Sequence, residues 1–444
     1  MFLVFRYFNE ASLQLDANHW TLMKQGLPKV PTITKYIADI AAKKYDKNEE
    51  TFTVGIDPFV HPATFEKELT QAFEEAAPDD DVVIGTLKTM DDGYNPIDEL
   101  WGDERPAIPT SPFKVHPIEY SGASIQTKVD KIRDLMKEKK ATLVTFSALD
   151  DVAYLMNLRA MGDIETCPVG ISYAAITADE ITLFCDDAKV TSDDVKNHLS
   201  EANVVIKPYD DIIKYIKDHL NETSKAKVWI DTARSNYALS RIIPSKNLLN
   251  SQNPITPMKA CKNEPEMEGM RVAHIRDGAA MAEAIAQIEI KLIKEGQSIS
   301  EVEVDEIITG YRAQQPDFHE VSFPTIAGVG ANGAIIHYRA EEDSELLKYL
   351  TTNEPILIDS GGQYSCGTTD VTRTWHFGEA TPEFKDNYTR VLKGNIGVDS
   401  MIFPENTPGF VLDVFARKAL WEAGKDYGVS IYSYMIVFVC VCII

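Results

Sequence analysis

At 444 residues, with 44% hydrophobic and 25% charged residues, the chain has the composition of a globular protein long enough for about three domains, each with its own core. Forty-four bases against 68 acids leave a net charge of −24, which argues against a phosphate backbone and so against nucleic acid as a partner. Six cysteines (167, 185, 261, 366, 440 and 442) form no disulfide framework, which fits free thiols in a reducing, cytoplasmic compartment. The opening run Met1–Phe8 is too short for a signal peptide and lacks a basic start and a cleavage site.

In chain order, the first segment alternates helix and strand. The spacing of Ile33, Ile37 and Ile40 predicts a helix over 31–44, then a strand over 52–56 closed by Asp57-Pro58. A helix over 61–76 and a strand over 81–84 follow. Arg6-Tyr7-Phe8 reads as an edge with no unit before it, so this α/β domain, 1–106, is expected to be cut short at its N-terminus. The proline- and glycine-bearing stretch 93–117 reads as a linker.

The second segment, 107–258, repeats that logic. An amphipathic helix over 124–139 turns Val129, Ile132, Leu135 and Met136 inward, and a strand over 141–146 follows. Ser147 and Asp150 read as a capping box for a helix over 149–157. Strand–helix units are expected near 181–185 and 204–206. Lys227-Val-Trp-Ile-Asp231 echoes Thr53-Val-Gly-Ile-Asp57, a weak internal repeat that chance similarity of a common βα unit explains nearly as well. Asn253–Met258 reads as a linker.

Beyond it the character changes. A long alanine-rich helix runs from Glu264 to Ile293 and stops before Gly296. Ser298 and Glu301 read as a capping box for a helix to about Gln314, and Val321–Ile326 as a strand. Gly328-Val-Gly330-Ala-Asn-Gly333 formally matches a dinucleotide fingerprint. The next residues, Ala334–Tyr338, read as a strand, so no helix N-terminus is available for a pyrophosphate, and a nucleotide site is rejected. His337 ends that strand. A lone histidine is usually structural, but this one precedes a pair of acids and could hydrogen-bond a substrate or an oxyanion.

The pair lies in Ile356–Phe377, read as two strands joined by a glycine-bearing turn, with Asp359 ending the first and Asp370 inside the second. Alternation puts Thr368, Asp370, Thr372 and Thr374 on one face of the second strand. Two carboxylates brought together in a partly buried site call for a cation between them. A solvated hairpin with two surface acids remains the plainer alternative.

The stretches Ser322-Phe-Pro-Thr-Ile326, Gly333-Ala-Ile-Ile-His337-Tyr338, Leu357-Ile-Asp359-Ser-Gly361, Gly367-Thr-Thr-Asp370-Val-Thr-Arg373-Thr374 and His376-Phe-Gly378 resemble the cytosolic-type Xaa-Pro aminopeptidases (aminopeptidase P) of the pita-bread metallopeptidases. The similarity extends from Arg6 to Gly428, including Trp20-Thr-Leu-Met-Lys24, Ala148–Arg159 and Lys259–Asp277. The resemblance implies two creatinase-like α/β domains followed by a pita-bread catalytic domain of α+β type, here 259–428. It also implies two divalent cations, usually Mn2+, held by two Asp, one His and two Glu. Asp359 and Asp370, eleven residues apart, match the two aspartates, and His337 matches a histidine that binds substrate near the scissile bond. The implied substrates are peptides with N-terminal Xaa-Pro, and the family is often homodimeric.

No histidine follows His376, and the remaining His and two Glu ligands find no match, so the catalytic domain is expected to be incomplete and this chain inactive by itself. The apolar stretch 429–444 departs from the family and resembles intron-derived sequence. Its 14 uncharged residues from Ile431 fall short of the ~20 a membrane span needs, which argues against a membrane. The alternatives are a non-catalytic peptide- or protein-binding module of the same fold, a non-functional splice or gene-model product, and a prolidase.

Overall fold

The computed structural model describes residues 2–3, 7–47, 51–90, 94–405 and 407–427, so the apolar tail 429–444 lies outside them. The chain forms two compact units, Pro31–Gly269 and, together, Met1–Val30 with Met270–Ile444. These dividing points differ from the boundaries expected near 106 and 258.

In Pro31–Gly269, the helices Ile33–Tyr45 and Ala63–Ala76 flank a parallel pair, Phe52–Ile56 with Gly85–Thr89. Ala38, Ala41, Leu69, Phe73 and Ile84 form their shared core. The second strand starts at Gly85 and not at 81. Ile84 is the buried plug before it, and a side chain at 85 would collide with the Phe73 ring. The stretch read as a linker holds a short helix, Pro96–Trp101, capped by Asn95.

The larger sheet has six strands in the order Val204–Lys207, Ile181–Phe184, Tyr173–Thr177, Leu143–Phe146, Val228–Ile230 and Leu248–Asn250. The outer pairings are parallel and the Tyr173–Thr177 strand runs antiparallel to both neighbours. Alternation divides its residues between two cores. Val144, Phe146, Ala174 and Ile176 pack with Val129, Ile132 and Met136 of helix Ile125–Lys139. Leu143, Tyr173, Ala175 and Val228 pack with Ile212 and Ile216 on the other face. This is the expected α/β material, with Asp57 and Asp231 each accepting from the backbone N–H two residues on.

Two further readings in this unit are corrected. Ser147 does not cap the next helix; its hydroxyl donates to the Arg234 carbonyl, and Asp150 pairs with Lys259 and Arg234. Asn253–Met258 is no linker, because helix Ile255–Ala260 docks a fully buried Ile255 into the sheet's core.

In the other unit, Tyr7 and Phe8 form no edge strand: Phe8 opens a helix, Phe8–Gln14, and Arg6 lies outside the described residues. The long helix Glu264–Glu289 ends in one π turn, Ile290–Lys294, before Gly296 at φ 66°. The helix Glu301–Arg312 is capped by Ser300, whose hydroxyl accepts from the Glu303 N–H, so the box lies two residues beyond Ser298. Against these helices packs an antiparallel sheet, Ile326–Val329, Ile356–Ser360 and Val371–Trp375. A second small sheet joins Phe318–Val321, Gly362–Tyr364 and Gly367–Thr368. The expected strand 321–326 therefore splits into two strands in different sheets, broken at Pro324, which has no N–H to give a ladder. The helices Pro382–Asp399 and Gly409–Trp421 pair with each other through Val391, Ala416 and Leu420.

Candidate metal and substrate site

Asp359 is carried by the central strand of the antiparallel sheet, where Ile326 lies opposite on one side and Thr372 on the other. Asp370 precedes the Val371–Trp375 strand and is not inside it. The connection is no tight turn either, since 361–370 makes the Gly362–Tyr364 and Gly367–Thr368 strands on its way back. The register puts Thr372 opposite Asp359 and Asp370 two residues before it, so all three share a face, as alternation requires.

The two carboxyls meet within hydrogen-bond reach. Asp370 is pushed up to about 6, first by burial, then by the charge of Asp359 and the hydrogen bond between them. Burial also raises Asp359, opposed by hydrogen bonds from Thr372 and Asp370 and by the nearby His337. A carboxyl that keeps its proton this long is the one that donates it to its neighbour. Even so, Oδ1 of Asp359 is buried with no hydrogen-bond partner among the described residues. An orphaned buried carboxylate oxygen beside a second acid fits a hard cation, which takes oxygen ligands and relieves the repulsion. Asp359 and Asp370 thus fit as two ligands of such an ion. Among the described residues, no group of three or more His, Cys, Asp or Glu gathers to hold one.

His337 is close enough to act on the Asp359 charge, but no strand carries it. The glycine-rich string forms a 3-10 turn, Gly330–Ala334, and His337 follows in an exposed loop at φ 63°, its ring 5.2 Å from that of Tyr7. Five residues of 3-10 turn are no α-helix N-terminus, so the dinucleotide fingerprint has the wrong context here too. Tyr7 was not singled out from the sequence, because 330 residues separate it from His337 and no pattern links them.

The chain's relatives bear on this geometry. The profile of "Metallopeptidase family M24" matches residues 268–438, and that of "Creatinase/Prolidase N-terminal domain" matches 104–266. The chain is similar to a probable Xaa-Pro aminopeptidase P of Sordaria macrospora, 40% identical over 430 residues, covering 95% of this chain and 67% of the relative. The chain belongs to the M24 metallopeptidases. It is likewise 39% identical to a probable Xaa-Pro aminopeptidase P of Botryotinia fuckeliana over 427 residues, 95% of this chain and 62% of that one. Among solved structures, the X-prolyl aminopeptidase of Caenorhabditis elegans, described as a cytosolic enzyme with a di-nuclear active site, superposes with a TM-score of 0.85 at 32% identity. That match covers 96% of this chain and 66% of the worm enzyme. The chain thus spans about two thirds or less of the length of these relatives. The fold is that of creatinase-type N-terminal and M24 pita-bread domains, and the family profile continues ten residues past Gly428.

Proposed function

We propose that this M24 chain carries part of a metal-dependent aminopeptidase that releases the N-terminal residue from peptides with proline in second position. The observation that carries the reading is the joined pair Asp359–Asp370 with its orphaned Oδ1, beside His337. The names of its relatives support the substrate class. Asp359 and Asp370 would hold divalent cation, Mn2+ in this reading, and the di-nuclear site of the worm enzyme supports a metal. Bound cations would supply a nucleophilic water at neutral pH and polarise the scissile carbonyl.

The chain's own residues do the rest. The buried strand around Asp359 keeps water from one side of the carboxylates, and the Thr372 hydroxyl orients Asp359. His337, exposed beside the pair, donates a hydrogen bond to the substrate or to the oxyanion that forms at its carbonyl. A proline nitrogen has no N–H, which explains a site dedicated to this bond.

The same reading puts the protein in the cytoplasm as a homodimer acting on peptides; the worm enzyme's description supports the compartment. Among the described residues no helix is long and apolar enough to cross a membrane. With two carboxylates gathered among the described residues against the six or more oxygens a hard cation takes, we propose that this chain by itself turns peptide over poorly. Peptide binding without hydrolysis is the second reading that this ligand count favours.

Calorimetric titration of the purified chain with Mn2+ tests the site: weak binding is expected, abolished in Asp359→Asn. Binding unchanged in that variant would sink the assignment. Incubation with an Xaa-Pro peptide and Mn2+ is expected to release little product with an N-terminal proline, and turnover at the rate of a full-length relative would overturn the proposed poor turnover.

A further inference from the structure

Glu301 opens the Glu301–Arg312 helix and is fully buried. A carboxylate out of water is tolerated only when its oxygens are satisfied. Those of Glu301 accept from the Val329 N–H at 2.6 Å, the Asn332 amide at 3.0 Å, the Tyr338 hydroxyl at 2.7 Å and the Lys348 N–H at 2.9 Å. The four donors mark the start, the 3-10 turn, the middle and the end of one excursion, 329–348, whose exposed side carries His337. One carboxylate therefore closes the whole loop.

The middle donor matters most. Tyr338 follows His337 directly, and its ring is buried against Ile326 and Leu357, residues of the two strands that meet at Asp359. Burial and the Glu301 bond push the Tyr338 phenol up, so it stays a donor. His337 itself sits at φ 63°, a conformation that a histidine holds only when its surroundings fix it. We propose that Glu301 is a positioning residue that, through Tyr338, fixes the backbone presenting His337 to the Asp359–Asp370 face. The inference rests on the reading of His337 as a substrate contact. It extends that reading to a residue one helix away that touches neither cation nor peptide.

The test uses the full chain with 13C-labelled histidine, His337→Gln identifying the His337 resonance among the nine. Tyr338→Phe keeps the buried ring and removes the bond to Glu301; Glu301→Gln replaces one acceptor oxygen by an NH2 that can accept from neither of the two donors facing it. In both, the His337 resonance is expected to move toward its random-coil position and sharpen, while the other eight stay. Binding of an Xaa-Pro peptide should weaken about five-fold in Tyr338→Phe, the effect of one lost hydrogen bond, with no further loss when combined with His337→Gln. An unmoved His337 resonance in Tyr338→Phe overturns the proposal, as does a shift spread over all nine histidines. A moved resonance, with peptide binding indifferent to His337→Gln, upholds the positioning and overturns the reading of His337 as a substrate contact.

Discussion

Arg312 and Asp277 are both out of solvent, joined through Nε–Oδ1 at 2.7 Å and Nη2–Oδ2 at 2.9 Å, with the Tyr364 hydroxyl donating to Oδ1 at 3.0 Å. The pair ties the long helix to Glu301–Arg312 and both to the connection that carries Asp370. Breaking such a pair costs more than the pair contributes, since the survivor is left charged and buried. Arg312→Met is expected to lower stability by about 3–5 kcal/mol, and adding Asp277→Leu to restore most of it. Urea denaturation of the two variants decides this; a single-variant loss below about 1 kcal/mol would show that water reaches Asp277. Neither residue stood out in the sequence. A lone acid or base on a helix usually marks a solvated face, and nothing local says that its partner is 35 residues away.

At the scale of elements, legibility followed how local the cause was. The helix 125–139 and the strand 143–146 were readable because spacing and alternation suffice to bury Val129, Ile132 and Phe146. The Ser147 cap and the Asn253–Met258 linker failed because tertiary partners, Arg234 in one case and the sheet's core in the other, claimed the residues. The carboxylate pair was readable by its face, but not the path between its members. That path turns on Gly361. Its carbonyl accepts from the Ser322 N–H at 3.1 Å, and the Ser322 hydroxyl donates to the Thr369 carbonyl at 2.8 Å, one residue before Asp370. A Cβ at 361 would fall inside both the Thr369 carbonyl oxygen and the Ser322 hydroxyl. Gly361→Ala is therefore expected to push the returning chain outward and separate Asp370 from Asp359. Mn2+ binding should then fall to the level of Asp359→Asn, with the fold kept by circular dichroism. Unchanged binding would mean that the connection absorbs the methyl without moving Asp370.

For the molecule as a whole, the Pro31–Gly269 unit carries a charge inside its main core. Lys128, on the face of helix Ile125–Lys139 toward the sheet, is 1% exposed; its ammonium donates to the Tyr154 carbonyl and to Asn157, and lies 4.0 Å from the Tyr154 ring centre. Burial pushes it down from 10.5 to about 7, Glu266 opposing and Arg159 assisting. The sign follows from proton counting. Between pH 7 and 10.5 the unfolded chain keeps this proton and the folded chain has lost it, so the unfolded state binds more protons and stability rises with pH. Below pH 7 both states are charged and the full burial penalty applies; above 10.5 it is gone. The slope inside the window approaches about 1.4 kcal/mol per pH unit for this one group. Other groups of a chain with 44 bases also titrate there, so the difference between the parent and Lys128→Met isolates the effect. Denaturation at pH 7, 8 and 9 is expected to show the parent gaining on Lys128→Met at each step. Parallel profiles would mean that the hydrogen bonds and the Tyr154 ring hold Lys128 charged in the folded core across the range.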